Sequence, residues 1–556
     1  MKYIVTTLAF VILAFPVFAD EEEGDVSFAG PSFGAQPGSV EDPNEFFVAT
    51  FTFGVWQRDV DSISSKFLEY RDIPNGGVMP FFRLNGKKGD LRYDLIAHDV
   101  TQKDQRYFGL LEGKNWKVDI DYVGVPHSFG NGGTSILTPV EELDGTEWRL
   151  SDTLQESFQA SIEALPSRNY ATVLPIVQPT LDTQPSNIDI KLQRNRTKVG
   201  FSVLPGEGNF DIGVTYFHER RTGNRTNHGT AFGFNNVVET ADPIRYITQD
   251  FNVRATMKSD WGVVFGGFNV NDFSDKYDTF GWDNPFRGVD STDGRAYLGP
   301  YTTVNGPATG LLSLPPSNEA WNINGGTTLT FGPRTRLTAD LQFGQWKQNK
   351  QPFIPWTTNT AVLTPSGENA TTAPLPAERL DGKIDVLAIN GYFTSKLTDD
   401  FRLNARYRFY DNDNKTPRIR FEEGYVRYDA VWEEIPRISV PYGFSSNLFD
   451  VYGTYDIGRI VGLEVGYKYN KISRTFRETE HTTENTFRAA ADLRFEGGFL
   501  VRALYELGKR DFDHYDAIEG EHASFLGAGP PANQTTLRRY DQAKRDRNRF
   551  GGQVQW

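Results

Sequence analysis

From about residue 46 to the end, apolar residues recur at every second position, with charged or amide residues between them. In 116–122, Trp116, Val118, Ile120 and Tyr122 alternate with Lys117, Asp119 and Asp121. In 337–343, Leu337, Ala339, Leu341 and Phe343 alternate with Thr338, Asp340 and Gln342. In 401–409, Phe401, Leu403, Ala405, Tyr407 and Phe409 alternate with Arg402, Asn404, Arg406 and Arg408. The pattern returns at 210–216, 463–469, 487–495 and 499–507. A period of two is the period of a strand, so each segment has one apolar and one hydrated face. Such strands build a soluble sandwich or a wall between lipid and an aqueous lumen.

The two ends favour the wall. Lys2 followed by the apolar run Ile4–Val17 and the small-residue site Val17-Phe18-Ala19 reads as a secretory signal peptide over 1–19. No other stretch approaches the ~18 apolar residues of a spanning helix, and in lipid the alternative is a closed barrel. The chain ends Phe550-Gly-Gly-Gln-Val-Gln-Trp556, with Phe550, Val554 and Trp556 on one side. An alternating strand with a terminal aromatic resembles the closing strand of a bacterial outer-membrane barrel. The expected fold is therefore all-β, a large antiparallel transmembrane β-barrel of about 22–26 strands in the outer membrane. Residues 20–44 read as a flexible periplasmic segment and 45–556 as the barrel.

Turn signals separate the strands at 85–90, 205–209, 258–260, 332–334, 397–400 and 496–498, and these suit short periplasmic turns. Longer polar stretches near 221–243, 275–320, 348–382, 411–447, 471–484 and 512–535 suit extracellular loops. One segment has a helical period: Leu150, Leu154, Phe158, Ile162 and Leu165, stopping before Pro166, predict an amphipathic helix within 146–165.

Composition narrows the chemistry. With no cysteine, disulfides, zinc-thiolate sites and covalent c-type haem attachment are excluded. The 42 Phe, 24 Tyr and 10 Trp supply interfacial girdles. The net charge of −14, or −15 once Lys2 leaves with the signal, argues against a nucleic-acid partner. The seven histidines form no His-x3-His or His-Glu-x-x-His pair, and 411–422 fails as a calcium loop because Lys415 stands at a ligand position. No metal site, catalytic residue or intrinsic cofactor is expected, and the chain is not expected to be an enzyme.

A 24-strand ring has a backbone diameter of about 45–50 Å and a lumen on the order of 30 Å, which must be filled. Folded-in loops or a second protein could do so. If Trp556 faces lipid, Arg545, Arg547 and Arg549 face the lumen. Arg402, Arg406 and Arg408 do so on another strand, and Asp119 and Asp121 on a third. These eight are the candidate partner-facing residues.

Residues 116–140, 192–205, 404–417 and 540–548 resemble the MtrB/PioB family. The resemblance implies a barrel of about 26 strands that sheathes a periplasmic multihaem c-type cytochrome, with haem present only through that partner, and supports extracellular electron transfer across the outer membrane. An extracellular cytochrome, outer-membrane lipid and the barrel-assembly machinery are the other implied partners. The alternative is a passive or substrate-selective porin narrowed by its own loops. One departure is the missing Cys-x-x-Cys that some members carry near the mature N-terminus.

Overall fold

The computed structural model describes residues 45–58, 65–143, 145–167, 170–183, 186–205, 208–232, 236–284, 307–516, 524–526 and 538–556. The segments 1–19 and 20–44 lie outside the described residues. Along the chain, β1 (Phe46–Trp56), β2 (Gly76–Lys88), β3 (Leu91–Val100), β4 (Arg106–Glu112) and β5 (Trp116–Ser135) form a meander. A long excursion follows, with short strands β6 (Thr138–Pro139) and β7 (Glu147–Arg149) and helices α1 (Asp152–Glu163) and α2 (Tyr170–Thr183). The meander resumes with β8 (Ser186–Val203), β9 (Phe210–Phe232), β10 (Asn236–Ser259) and β11 (Gly262–Asp275). After β12 (Thr279–Asp283) and β13 (Thr309–Ser313) come β14 (Asn318–Phe331), β15 (Thr335–Gln348), β16 (Gly382–Lys396) and β17 (Phe401–Asn414). Four loop strands follow: β18 (Arg420–Phe421), β19 (Tyr425–Arg427), β20 (Val431–Glu433) and β21 (Arg437–Ile438). The chain ends with β22 (Phe444–Ile457), β23 (Val461–Arg474), β24 (His481–Arg494), β25 (Leu500–Phe512) and β26 (Arg545–Gln555).

Twenty-six strands are thus described, and eighteen of them form one antiparallel sheet in which each pairs with the next in the chain. The other eight are two to five residues long and sit in the loops. Among the described residues no helix is long and apolar enough to cross a membrane. The fold is a large outer-membrane β-barrel wall. The eighteen described wall strands would make a narrower ring than 24. At ~4.8 Å spacing and ~40° tilt the closed ring is about 36 Å across its backbone, leaving a lumen on the order of 20 Å. The described ladders end at β1 and β26, and none of them joins these two strands. β1 starts and β26 ends at the end that carries the short turns, so the two run antiparallel, the arrangement a closing pair needs.

The wall separates two environments by side-chain parity. Ile323, Val465 and Phe487 stand outward, 56%, 68% and 57% exposed, as lipid-facing residues of a wall do. Short turns lie at one end, together with Phe46 and Gln555, and this is the periplasmic end. Gly89 at φ +57° and Gly332 at φ +67° make two of these turns where an L side chain is strained. The turn predicted over 85–90 shrinks to Gly89-Asp90, because β2 continues through Lys88.

At the other end the strands project. β9 and β10 have 23 and 24 residues, against the ~9–11 that cross a bilayer. They run through most of the stretch expected to be a loop at 221–243. Above the membrane neither face meets lipid, so the strand continues without apolar alternation.

Candidate functional site: the lumen face and its roof

Cross-strand register assigns each candidate residue to a side. In β26, Arg545, Arg547 and Arg549 pair with Arg510, Gly508 and Glu506 of β25, while Phe550 and Val554 pair with Tyr505 and Val501 on the opposite face. The Phe550 ring lies 4.9 Å from that of Tyr505. Phe550 and Val554 are 79% and 53% exposed, and Trp556, just beyond the strand, is 91% exposed.

On the inward face, charges pair across strands. Arg545 reaches Glu484 at 2.7 Å and Arg549 reaches Glu506 at 3.5 Å. Glu464 receives Arg488 at 3.1 Å and Arg502 at 2.9 Å, and Arg488 also lies 3.5 Å from Asp450. Asp121 meets Arg106 at 3.4 Å. Asp119 lies on the same face, and a Cβ on its partner Gly200 would come within 2.7 Å of its carboxylate, so glycine leaves room for the acid. These partly solvated pairs hold the wall's inner surface more than they stabilise the fold.

Two stretches of the face differ. Over β10–β16 it carries amides: Asn269 donates to Asp250 at 2.8 Å, Asn322 to Asn269 at 3.3 Å, Asn324 to Asn322 at 3.1 Å and Asn390 to Asp340 at 2.8 Å. On β17 the three guanidiniums Arg402, Arg406 and Arg408 are exposed and make no ion pair among the described residues. They form a column rising from the periplasmic end, with Lys396 paired opposite Arg402.

The extracellular end is roofed by the chain's own loops. β6, β7, β12 and β13 form a four-stranded sheet, in which β12 runs parallel to β7 across more than 130 residues of sequence. Its core is Leu137, Trp148, Leu150, Phe280, Trp282 and Leu314, with Phe280 stacked on Trp282 at 5.5 Å. Ile188 and Ile190 of β8 pack on this core. They share parity with Arg194 and Lys198, so the roof sits on the inner side of the wall. The 348–382 loop joins it: Gln351 donates to Leu314 and Ser313, and Thr358 to Thr309. That loop also grips the 415–443 loop through Asn359 and Thr357, which donate to Asp429.

Helix α1 spans Asp152–Glu163, inside 146–165, and buries Phe158 and Ile162 against Val173 and Ile176 of α2. Leu150, expected on the helix, belongs instead to the roof core, and Leu154 contacts both clusters. Sequence reasoning missed the roof. Its only advance signal was aromatic residues, Phe280 and Trp282 inside a stretch that otherwise read as polar loop and Trp148 inside the segment read as a helix. Among the described residues no group of His, Asp and Glu could hold a metal. His127 instead packs on Phe129 at 3.7 Å and Tyr70 at 4.4 Å, and His98 lies 5.2 Å from Phe81.

Comparison with known proteins follows the same line. The family model for the outer membrane β-barrel porin MtrB/PioB matches residues 57–556. Outer membrane protein MtrB of Shewanella baltica is 26% identical over 386 residues, covering 68% of this chain and 48% of the relative, so the chain spans about half the length of that relative. Among solved structures, the siderophore receptor PiuA of Acinetobacter baumannii shares 10% identity, with 86% of this chain and 65% of the receptor covered at a TM-score of 0.34. The ferric-catecholate receptor Fiu of E. coli shares 8%, over 85% and 65%, at 0.34. With likeness that low, the wall's own ladder and the family match carry the assignment. This chain belongs to the MtrB/PioB family of outer-membrane β-barrel porins.

Proposed function

We propose that the barrel sheathes a periplasmic multihaem c-type cytochrome and so supports electron transfer across the outer membrane. The observation that carries this reading is the asymmetry of the lumen. At its extracellular mouth interlocked loops pack on the inner side of the wall, whereas the described periplasmic turns are short. A partner would enter from the periplasm and stop beneath the roof. Membership of the MtrB/PioB family supports the same reading. A ~20 Å lumen holds a body one to two helices thick, which fits haems in single file with little polypeptide around them. The chain itself has no Cys-x-x-Cys-His, so every haem would belong to the partner. The column Arg402, Arg406 and Arg408, which makes no ion pair among the described residues, offers this partner a basic contact rising from the entrance. Purification from native outer membranes tests it: the reading expects haem absorbance in fixed stoichiometry with the barrel, and a haem-free protein refutes it.

The roof favours a second reading, a porin narrowed by its own loops. That reading expects discrete ion conductance from the pure protein in planar bilayers, and silence there counts against it.

A further inference from the structure

At the extracellular end of β17, β22 and β23 there is a cavity of about 780 Å³, within the range that holds a small ligand. Its wall includes Asn412, Tyr442, Phe444, Arg474, Arg477 and Arg539. Asn412 shares parity with Arg408, and Phe444 and Arg474 are paired with one another on that same inward side. The cavity therefore lies inside the wall, out of reach of lipid headgroups.

Among the described residues its charges do not balance. Glu478, 4% exposed, is fully engaged: Arg539 and Gln542 donate to it, the latter at 2.8 Å, and Arg477 reaches it at 3.2 Å. Burial by itself would raise its pKa, but its own backbone N–H, Arg539, Gln542 and Arg477 outweigh that and hold it at about 2. Arg477 spends its other arm on Asp541 at 3.2 Å. Arg474 receives neither carboxylate. Its side chain donates to Thr482 at 2.9 Å and makes no ion pair among the described residues. A half-buried guanidinium beside other guanidiniums, facing a cavity, is the arrangement an anion relieves.

We propose that this cavity binds a small oxyanion, of the class carrying a phosphate or several carboxylates. Arg474 is its principal charge partner, Arg477 and Arg539 flank it, and Tyr442 lines the site. The site is independent of what fills the lumen below. Sequence reading passed over it because Arg474 ends β23, Arg477 follows in the next loop, and Arg539 lies more than 60 residues further on.

The test is isothermal titration of the purified full chain in detergent at low salt, with inorganic phosphate in one arm and citrate in another. The expected result is saturable one-to-one binding of at least one of them, with Kd of about 1 mM or tighter. Arg474→Gln should weaken it about ten- to a hundred-fold, the loss of one charge-assisted hydrogen-bonding group. Asn412→Asp, which sets a carboxylate in the cavity without removing any partner, should weaken it comparably. Phosphate without citrate assigns a phosphate ligand, and citrate without phosphate a polycarboxylate. Failure of both to bind the wild-type chain overturns the proposal. So does binding unchanged by Asn412→Asp, which decides the matter if Arg474→Gln does not fold.

Discussion

Val465 and Thr454 lie at the same depth of the wall and on opposite sides of it. Val465 pairs with Gly453, and the next residue, Thr454, pairs with Glu464. Val465 is the fifth residue of the 14-residue β23 and stands outward, 68% exposed. Arginine there is placed near the middle of the apolar band and costs about 2–4 kcal/mol. Arginine at Thr454 enters a hydrated lumen beside Glu464 and costs less than about 1 kcal/mol. With a urea slope of ~1–3 kcal/mol/M, Val465→Arg should move the unfolding midpoint in lipid vesicles down by about 1–2 M, and Thr454→Arg should barely move it. Tryptophan fluorescence together with heat-modifiable gel mobility reads both. Equal effects, or a larger loss from Thr454→Arg, would show that the parity assigned to every wall strand is wrong.

Other consequences can be checked with the same protein. Trp282→Ala removes a buried ring stacked on Phe280 and should cost about 3–5 kcal/mol, confined to the roof. Limited proteolysis should then cut within 136–150 or 307–316 while the wall keeps its heat-modifiable mobility. The folded pKa of Glu478 lies below its ordinary value, so its contribution is present above about pH 4.5 and is lost as pH falls towards 2. That contribution is on the order of 3 kcal/mol, and Glu478→Gln should abolish this part of the acid dependence of thermal unfolding. The chain has no cysteine, so introduced pairs are read cleanly. Oxidation of double variants that place cysteine at Ala49 or Phe51 with Phe550 or Gly552 should give at least one cross-link in the membrane, because an open sheet edge is not tolerated in lipid. No cross-link from any pair would show the ring to be held closed by something other than β1 and β26.

The wall was legible in the sequence because lipid enforces alternation. Val118, Ile120, Leu341 and Phe409 face hydrocarbon, and their neighbours Asp119, Asp121, Gln342 and Arg408 cannot. Arg545, Arg547 and Arg549 share the face opposite Phe550 and Val554, as that rule alone expects. The same rule fell silent above the bilayer, where β9 and β10 extend through Thr, Asn and Arg residues without the alternation that lipid enforces. The roof was invisible for a different reason. Its sheet is assembled from β7 and β12, strands of three and five residues whose partners are far apart in sequence, so no local period exists to detect. Leu150 illustrates the ambiguity: its spacing from Leu154 is helical, yet its side chain completes a core with Trp148 and Trp282. Strands in loops also look like strands in the wall when only their number is reckoned, which is why the eighteen described wall strands would enclose a narrower lumen than a 24-strand ring.

The most direct test of the central claim uses sealed lipid vesicles enclosing a redox dye, with reductant supplied outside. Vesicles carrying the barrel with whatever co-purifies from native outer membranes should bleach the dye without releasing it, and vesicles carrying the barrel alone should not bleach it. Release of the dye or passage of small solutes, with no electron transfer in the presence of the co-purified material, would contradict the account and leave the loop-narrowed porin in its place.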